Sequence, residues 1–159
     1  MTDLAAKTAR FAPTDLSADV SALPESERKA LAHMIRAAQV MDALFLRQVW
    51  AGNEAMLSSL VADDTPMGRA RLTYFLVNKG PWSRLDHNEP FVPGAPAKPA
   101  AANFYPPDAT KADVESWING LAGPAKAAAT GFFTTIRRGP NGGLMAVPYN
   151  VEYQAELAL

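Results

Sequence analysis

Cysteine is absent from all 159 residues. That excludes disulfides, thiolate nucleophiles and any zinc or iron–sulfur site built on sulfur. Histidine is scarce: only His33 and His87 occur. His33 sits in His-Met-Ile-Arg-Ala, which is not the H-E-x-x-H run that puts two imidazoles and a base on one helix face. An excess of charge of one sign is missing as well. Fifteen basic residues face 16 acidic ones, for a net charge of -1. No broad field exists to attract nucleic acid or an anionic membrane surface, and neither partner is expected. Long hydrophobic runs are also lacking. The most apolar stretch, Val40 to Trp50, is interrupted by Asp42, Arg47 and Gln48 and is too short to span a bilayer. The opening Met1-Thr-Asp-Leu-Ala-Ala-Lys7 has no apolar leader. The expected location is cytoplasmic, with a periplasmic one left open.

What is present reads as a folded α+β chain, mainly α-helical. At 48% hydrophobic and 19% charged it matches a soluble globular composition. Residues 1–23 form a weakly patterned N-terminal arm. Phe11, Leu16, Val20 and Leu23 either dock it or leave it as a partly ordered terminus. Residues 24–80 form a helical unit. Pro24 suits a first helical position, and Leu31, Met34, Ile35, Ala38, Met41, Phe45 and Val49 recur at helical spacing. Leu44, Leu46 and Trp50 widen that stripe, so the second half of the helix is expected to be surrounded by protein. Gly52 is read as a C-cap, Asn53 as the N-cap of a second helix, and Thr65-Pro66 as the start of a third that ends at Gly80-Pro81.

Residues 81–109 form a Pro-rich extended segment. Six prolines fall between Glu89 and Asp108, alongside Phe91, Val92, Phe104 and Tyr105. So many fixed φ angles forbid helix and central strand. The aromatic content favours an ordered segment laid on a surface over a plain linker. Residues 110–159 carry a helix capped by Thr110 and Asp113, then a β-hairpin turning at Gly139-Pro-Asn-Gly-Gly143, then the start of a further helix capped at Asn150. No G-x-S-x-G elbow, Walker loop or Nudix-type R-E-x-x-E-E helix is present.

The densest polar–aromatic cluster runs from Asn78 to Phe91. Loops of that mix often line binding sites, and an Arg84–Asp86 pair beside a buried Trp82 explains the same residues structurally. Asp42 and Arg47 in the apolar helix read as buried ion-pair members. Asp63, Asp64 and Asp86 are weak carboxylate metal candidates. The substrate-binding candidates are Trp82, Arg84, Asp86, Asn88, Asn103 and Tyr105.

Several runs resemble the N-terminal region of bacterial members of the dipeptidyl peptidase III family. They are Phe45-Leu-Arg-Gln-Val-Trp-Ala-Gly-Asn53, Tyr74-Phe-Leu-Val-Asn-Lys-Gly-Pro-Trp-Ser-Arg-Leu-Asp86, Asn88-Glu-Pro-Phe-Val-Pro-Gly94, Ala102-Asn-Phe-Tyr-Pro106, Thr110-Lys-Ala-Asp-Val-Glu-Ser-Trp117 and Thr130-Gly-Phe-Phe-Thr-Thr-Ile-Arg-Arg138. The likeness extends from about Phe11 to Leu157. It implies part of a two-lobed zinc exopeptidase that removes dipeptides from peptide N-termini, with zinc on an H-E-x-x-G-H helix in a later lobe. No residue here matches that motif, so no catalytic residue or zinc ligand is assigned to this chain. The resemblance implies a peptide substrate and a C-terminal catalytic portion as partners. The chain ends at Leu159 without a C-cap or polar tail, and the expectation is that the polypeptide continues. The alternative is a stand-alone peptide- or protein-binding module.

Overall fold

The computed structural model describes residues 2–159. The chain divides into two compact units between Lys98 and Pro99, inside the Pro-rich segment.

The first unit is built from four helices and a minimal hairpin: α1 (Thr2–Thr8), α2 (Glu25–Val49), α3 (Asn53–Val61), α4 (Pro66–Asn78), β1 (Trp82–Ser83) and β2 (Glu89–Pro90). Leu46, Leu60 and Phe75 form the buried centre, with Met56, Leu57, Leu72, Phe91 and Val92 packed against it. These side chains come from three helices and from the Pro-rich segment. Phe91 and Val92 of that segment are therefore core material. Tyr74, fully buried, sits between Phe11 and Phe91 at centroid distances of 6.1 and 4.7 Å, both edge-on. The arm beyond Phe11 does not dock: Leu16 is 93% exposed.

Asn53 joins the helix ends. It is the first residue of α3, preceded by Gly52 at the N-cap, rather than the cap itself. Its side chain is completely buried. The amide donates to the Leu46 carbonyl of α2 at 2.8 Å and to the Lys79 carbonyl just past α4 at 3.4 Å. Helix C-termini leave carbonyls short of partners; here one amide reaches the Lys79 carbonyl and adds a second donor to the Leu46 carbonyl, which also accepts from the Trp50 N–H. Trp50 closes α2 as its C-cap and packs edge-on against Trp82 at 5.4 Å.

Other helix ends also depart from the sequence reading. Pro24 is the N-cap of α2, not its first residue. Lys79, not Gly80, takes the left-handed conformation that ends α4, with φ 57° and ψ 40°. A left-handed non-glycine is unfavourable by about 1 kcal/mol or more. The lysine reaches both carboxylate oxygens of Asp42 at 2.7 and 2.8 Å, which glycine could not do. Asp42 is exposed, so this is a surface tie between α2 and α4 and not the buried ion pair expected of it. Thr65-Pro66 does open α4 as read. Thr65 Oγ1 accepts from the Gly68 N–H at 3.0 Å, and Asp63 accepts from the Thr65 hydroxyl at 2.7 Å. Gly68 lies so close to Asp63 that an added Cβ would stand 2.2 Å from its carbonyl oxygen.

The largest departure concerns α2. Its second half is only partly surrounded by protein: Leu44 and Leu46 are buried, but Met41 and Phe45 are 59 and 41% exposed, and in its first half Met34 and Ile35 are 67 and 53% exposed. Among the described residues, no helix is long and apolar enough to cross a membrane.

The second unit holds a 3-10 turn (Ala102–Phe104), α5 (Lys111–Asn119), α6 (Gly123–Ala129), β3 (Thr134–Arg138), β4 (Leu144–Pro148), α7 (Tyr149–Glu152) and α8 (Gln154–Ala158). Thr110 and Asp113 form the capping box, with Thr110 N–H donating to Asp113 at 3.0 Å and Asp113 N–H to Thr110 at 3.2 Å. The antiparallel hairpin pairs Ile136 with Ala146, and its turn closes through the Gly139 N–H to the Gly143 carbonyl at 2.8 Å. Thr135 and Ile136 are both buried, so β3 is covered on its two faces. Arg137 bonds the Glu152 carboxylate of α7 and the Asn103 carbonyl of the 3-10 turn. Arg138 holds Asp108 at 2.7 Å. Pro148, with no side-chain cap, precedes the final helices in place of the expected Asn150.

Replacing Asn53 by Ala removes both bonds, leaving the Leu46 carbonyl with only the Trp50 N–H and the Lys79 carbonyl without this donor. The expected loss is about 1–3 kcal/mol in denaturant unfolding. Gly68→Ala gains intrinsic helix propensity, yet the contact with Asp63 reverses the sign. It is expected to destabilise by about 1–3 kcal/mol, read as a lower urea midpoint at unchanged slope.

Candidate functional site

The polar residues of the first unit converge on the loop between β1 and β2. Two paired residues on each strand define this hairpin, Trp82 opposite Pro90 and Ser83 opposite Glu89. The Pro-rich segment therefore does contain a strand pair, at an edge where proline is tolerated. The loop turns sharply. His87 and Asn88 are both left-handed, with φ 53° and 61°. The N–H groups of Asp86 and Asn88 both donate to the Ser83 carbonyl, at 3.1 and 2.9 Å.

Asp86 is the hub. Arg10 grips it with both ends of its fork, Nη1 to Oδ1 at 2.9 Å and Nη2 to Oδ2 at 2.7 Å. Ser83 Oγ lies 2.6 Å from Oδ2, and Lys7 adds an ion pair at 3.4 Å. The expected Arg84–Asp86 pair is thus replaced by a partner 76 residues away. The Arg10 fork, then the Ser83 hydroxyl, hold the Asp86 carboxyl well below the usual carboxylate range. The same contact raises Arg10 above its ordinary value.

The direction of each hydrogen bond follows from who has protons. An ionised carboxylate only accepts, so Ser83 donates its single hydroxyl proton to Asp86. The Tyr74 hydroxyl, 2.6 Å from Ser83 Oγ, must then donate to Ser83. Its lone pair accepts from Arg10 Nη2 at 3.3 Å. Arg10, Tyr74, Ser83 and Asp86 close a ring in which every proton has one destination. Ser83 and Tyr74 are fully buried. Buried polar groups that are all satisfied hold a unique geometry. This arrangement fixes a loop. It does not supply a general base near neutral pH, because its one carboxylate is ionised, gripped and weakly basic.

The six candidate binding residues play different parts. Trp82 is 2% exposed, and its indole N–H donates to the Pro96 carbonyl at 2.8 Å, so it anchors the segment that follows. Asp86 belongs to the ring, and Asn88 accepts from Lys98 at 3.0 Å. Arg84 is exposed, with its backbone N–H donating to Asn78 at 2.9 Å. Trp82, Arg84, Asp86 and Asn88 belong to the first unit. Asn103 and Tyr105 belong to the second, where the Asn103 carbonyl receives Arg137 and Tyr105 is half-buried. Lys7, Arg10, Tyr74 and Ser83 were not singled out by the sequence. A basic pair at i and i+3 near the N-terminus was the only available signal.

No three His, Cys, Asp or Glu side chains converge as metal ligands among the described residues. His33 is exposed on α2, and His87 is exposed at the loop tip. Asp63 serves Thr65, and Asp86 serves Arg10. The donor set therefore does not fit a catalytic zinc.

The chain superposes on the structure of dipeptidyl-peptidase III from Corallococcus sp. strain EGB with a TM-score of 0.94 and 58% sequence identity, over 97% of this chain. For DPP III from Caldithrix abyssi the values are 0.89 and 40%, over 96%. This chain belongs to the dipeptidyl-peptidase III family. It corresponds to an N-terminal part of it and spans 29% of each of those two chains. The chain is also 37% identical over 158 residues to Nudix hydrolase 3 of Arabidopsis thaliana, a match that covers 81% of this chain and 20% of that protein. No R-E-x-x-E-E run occurs in this chain. No protein-family model matches the chain.

A carboxylate whose folded pKa lies below its unfolded one stabilises the fold at every pH above the unfolded value, about 3.9 for aspartate. That contribution fades as pH falls through the lower folded value. Asp86→Asn should therefore melt below the wild type at neutral pH. The gap between the two should narrow as pH drops from about 5 to about 2, as followed by circular dichroism. A gap independent of pH would mean that Asp86 acts by shape and not by charge.

Proposed function

We propose that this chain is the non-catalytic N-terminal portion of a dipeptidyl peptidase III-like zinc exopeptidase, one that releases dipeptides from peptide N-termini. The observation that carries the reading is the superposition on two dipeptidyl-peptidase III structures over nearly the whole chain. The donor set supports the non-catalytic part of it. Two exposed, separated histidines do not make a zinc site, and no step of peptide hydrolysis is assigned to residues here. In this reading zinc is held by the remainder of the enzyme.

The chain's own contribution is positional. The Arg10–Asp86 ring sets the loop that carries Arg84, and Arg84 is the exposed cation available to a peptide's carbonyl or carboxylate groups. Trp82, Asp86 and Asn88 act beneath it, as support for the loop.

The test uses two proteins. One is the 159-residue chain alone with added zinc. The other is a chimera in which this chain replaces the matched stretch of the Corallococcus enzyme. Release of dipeptides from a tetrapeptide is the readout. The chimera should cleave, and the chain alone should not exceed the uncatalysed rate. Zinc-dependent cleavage by the chain alone would overturn the reading.

A further inference from the structure

We infer that the bare face of α2 between Ala30 and Phe45 is the surface on which a helix of the rest of the peptidase docks. This rests on the functional reading above and adds to it a place of attachment. Ala30, Met34, Ala38, Met41 and Phe45 follow one another at three- or four-residue steps, so their side chains share one face. All five are exposed. The face runs for about 22 Å along the helix. Lys29 and Arg36 lie on the far side. A contiguous apolar strip of this kind marks an interaction surface, whereas scattered apolar residues do not.

The pattern also says what kind of element covers it. Met34 and Met41 are seven residues apart, with Ala37 and Ala38 between them. Long, adaptable thioethers alternating with methyl groups make the knobs and gaps that accept a second helix at an axis distance of about 8–10 Å. An extended strand would find no backbone partners there, because the amides of α2 bond within the helix.

The occupant follows from length. The chain matches 29% of each solved dipeptidyl-peptidase III, so those single polypeptides carry more than twice as much again beyond the matched part. That remainder must pack against this portion somewhere. The longest helix, 25 residues, is packed within its unit only near its C-terminal end. A second copy of the chain would cover the same strip without any need for the remainder, and the experiment separates the two.

Met41→Asp and Met34→Asp are made in the isolated chain and in the Corallococcus chimera, with Arg36→Ala as the far-side control. In the isolated chain both aspartates should leave the melting midpoint within about 2 °C, since each methionine is already more than half exposed. In the chimera each should lower it by about 4 °C or more, and Arg36→Ala should not. Equal midpoints for wild-type and variant chimeras would overturn the docking, and so would an equal loss in the isolated chain. Sedimentation is the second measurement. A concentration-dependent dimer of the isolated chain that Met41→Asp dissolves would assign the face to a second copy, against the proposal. Cleavage by the wild-type chimera is read separately. An active chimera indifferent to Met41→Asp sinks the docking alone, whereas a wild-type chimera that fails to fold sinks the functional reading beneath it.

Discussion

One buried amide holds the first unit in register. Asn53 donates to a carbonyl of α2 and to the carbonyl that follows α4, and its own backbone begins α3. Three helix ends therefore meet at a side chain with no exposure. Packing alone would not fix them so closely, because Leu46, Leu60 and Phe75 attract without direction. The directional bonds choose one arrangement among several that the apolar contacts would accept. Trp82 then closes over the junction against Trp50, and its indole tethers the chain at Pro96. The path of the Pro-rich segment is set from this point outward.

The ring around Asp86 stands on that platform. Tyr74 is placed by α4, Ser83 by β1, and Arg10 arrives just after α1. An exposed ion pair of this type adds little by itself. Here it is coupled to two fully buried hydroxyls that have no water to turn to. Breaking the Arg10 fork leaves Tyr74 and Ser83 with protons and lone pairs out of place. The cost of that loss exceeds the value of the pair in isolation. This is why a short segment at the start of the chain can govern a loop more than 70 residues later.

Much of this was legible where the signal is local. Thr65-Pro66, the Thr110–Asp113 box and the glycine-rich hairpin turn each satisfy their own backbone groups within a few residues, so their spelling is enough. Asp86 was legible as a charge on a loop, but its partner was not. Arg84 is two positions away, while Arg10 reaches it through the fold. The end of α4 was misplaced by one residue for a similar reason: the tie from Lys79 to Asp42 outweighs the preference for glycine at a left-handed position. Of the six candidate binding residues, Trp82 was marked by size and aromaticity, which core packing and ligand contact share. The structure puts it in the core.

The error over α2 is of a different kind. Helical periodicity reports which face of a helix is apolar, and it reported this correctly. It does not report whether the residues that cover the face lie in the same stretch of chain. Met34, Met41 and Phe45 have the pattern of a core helix yet stay exposed in these 159 residues. A strip that a lone domain would convert to lysine and glutamate stays apolar when something else buries it. On the docking proposed above, the mismatch between the pattern of α2 and its exposure is the trace of a neighbour in the rest of the peptidase, in keeping with a match that spans under a third of the two solved relatives.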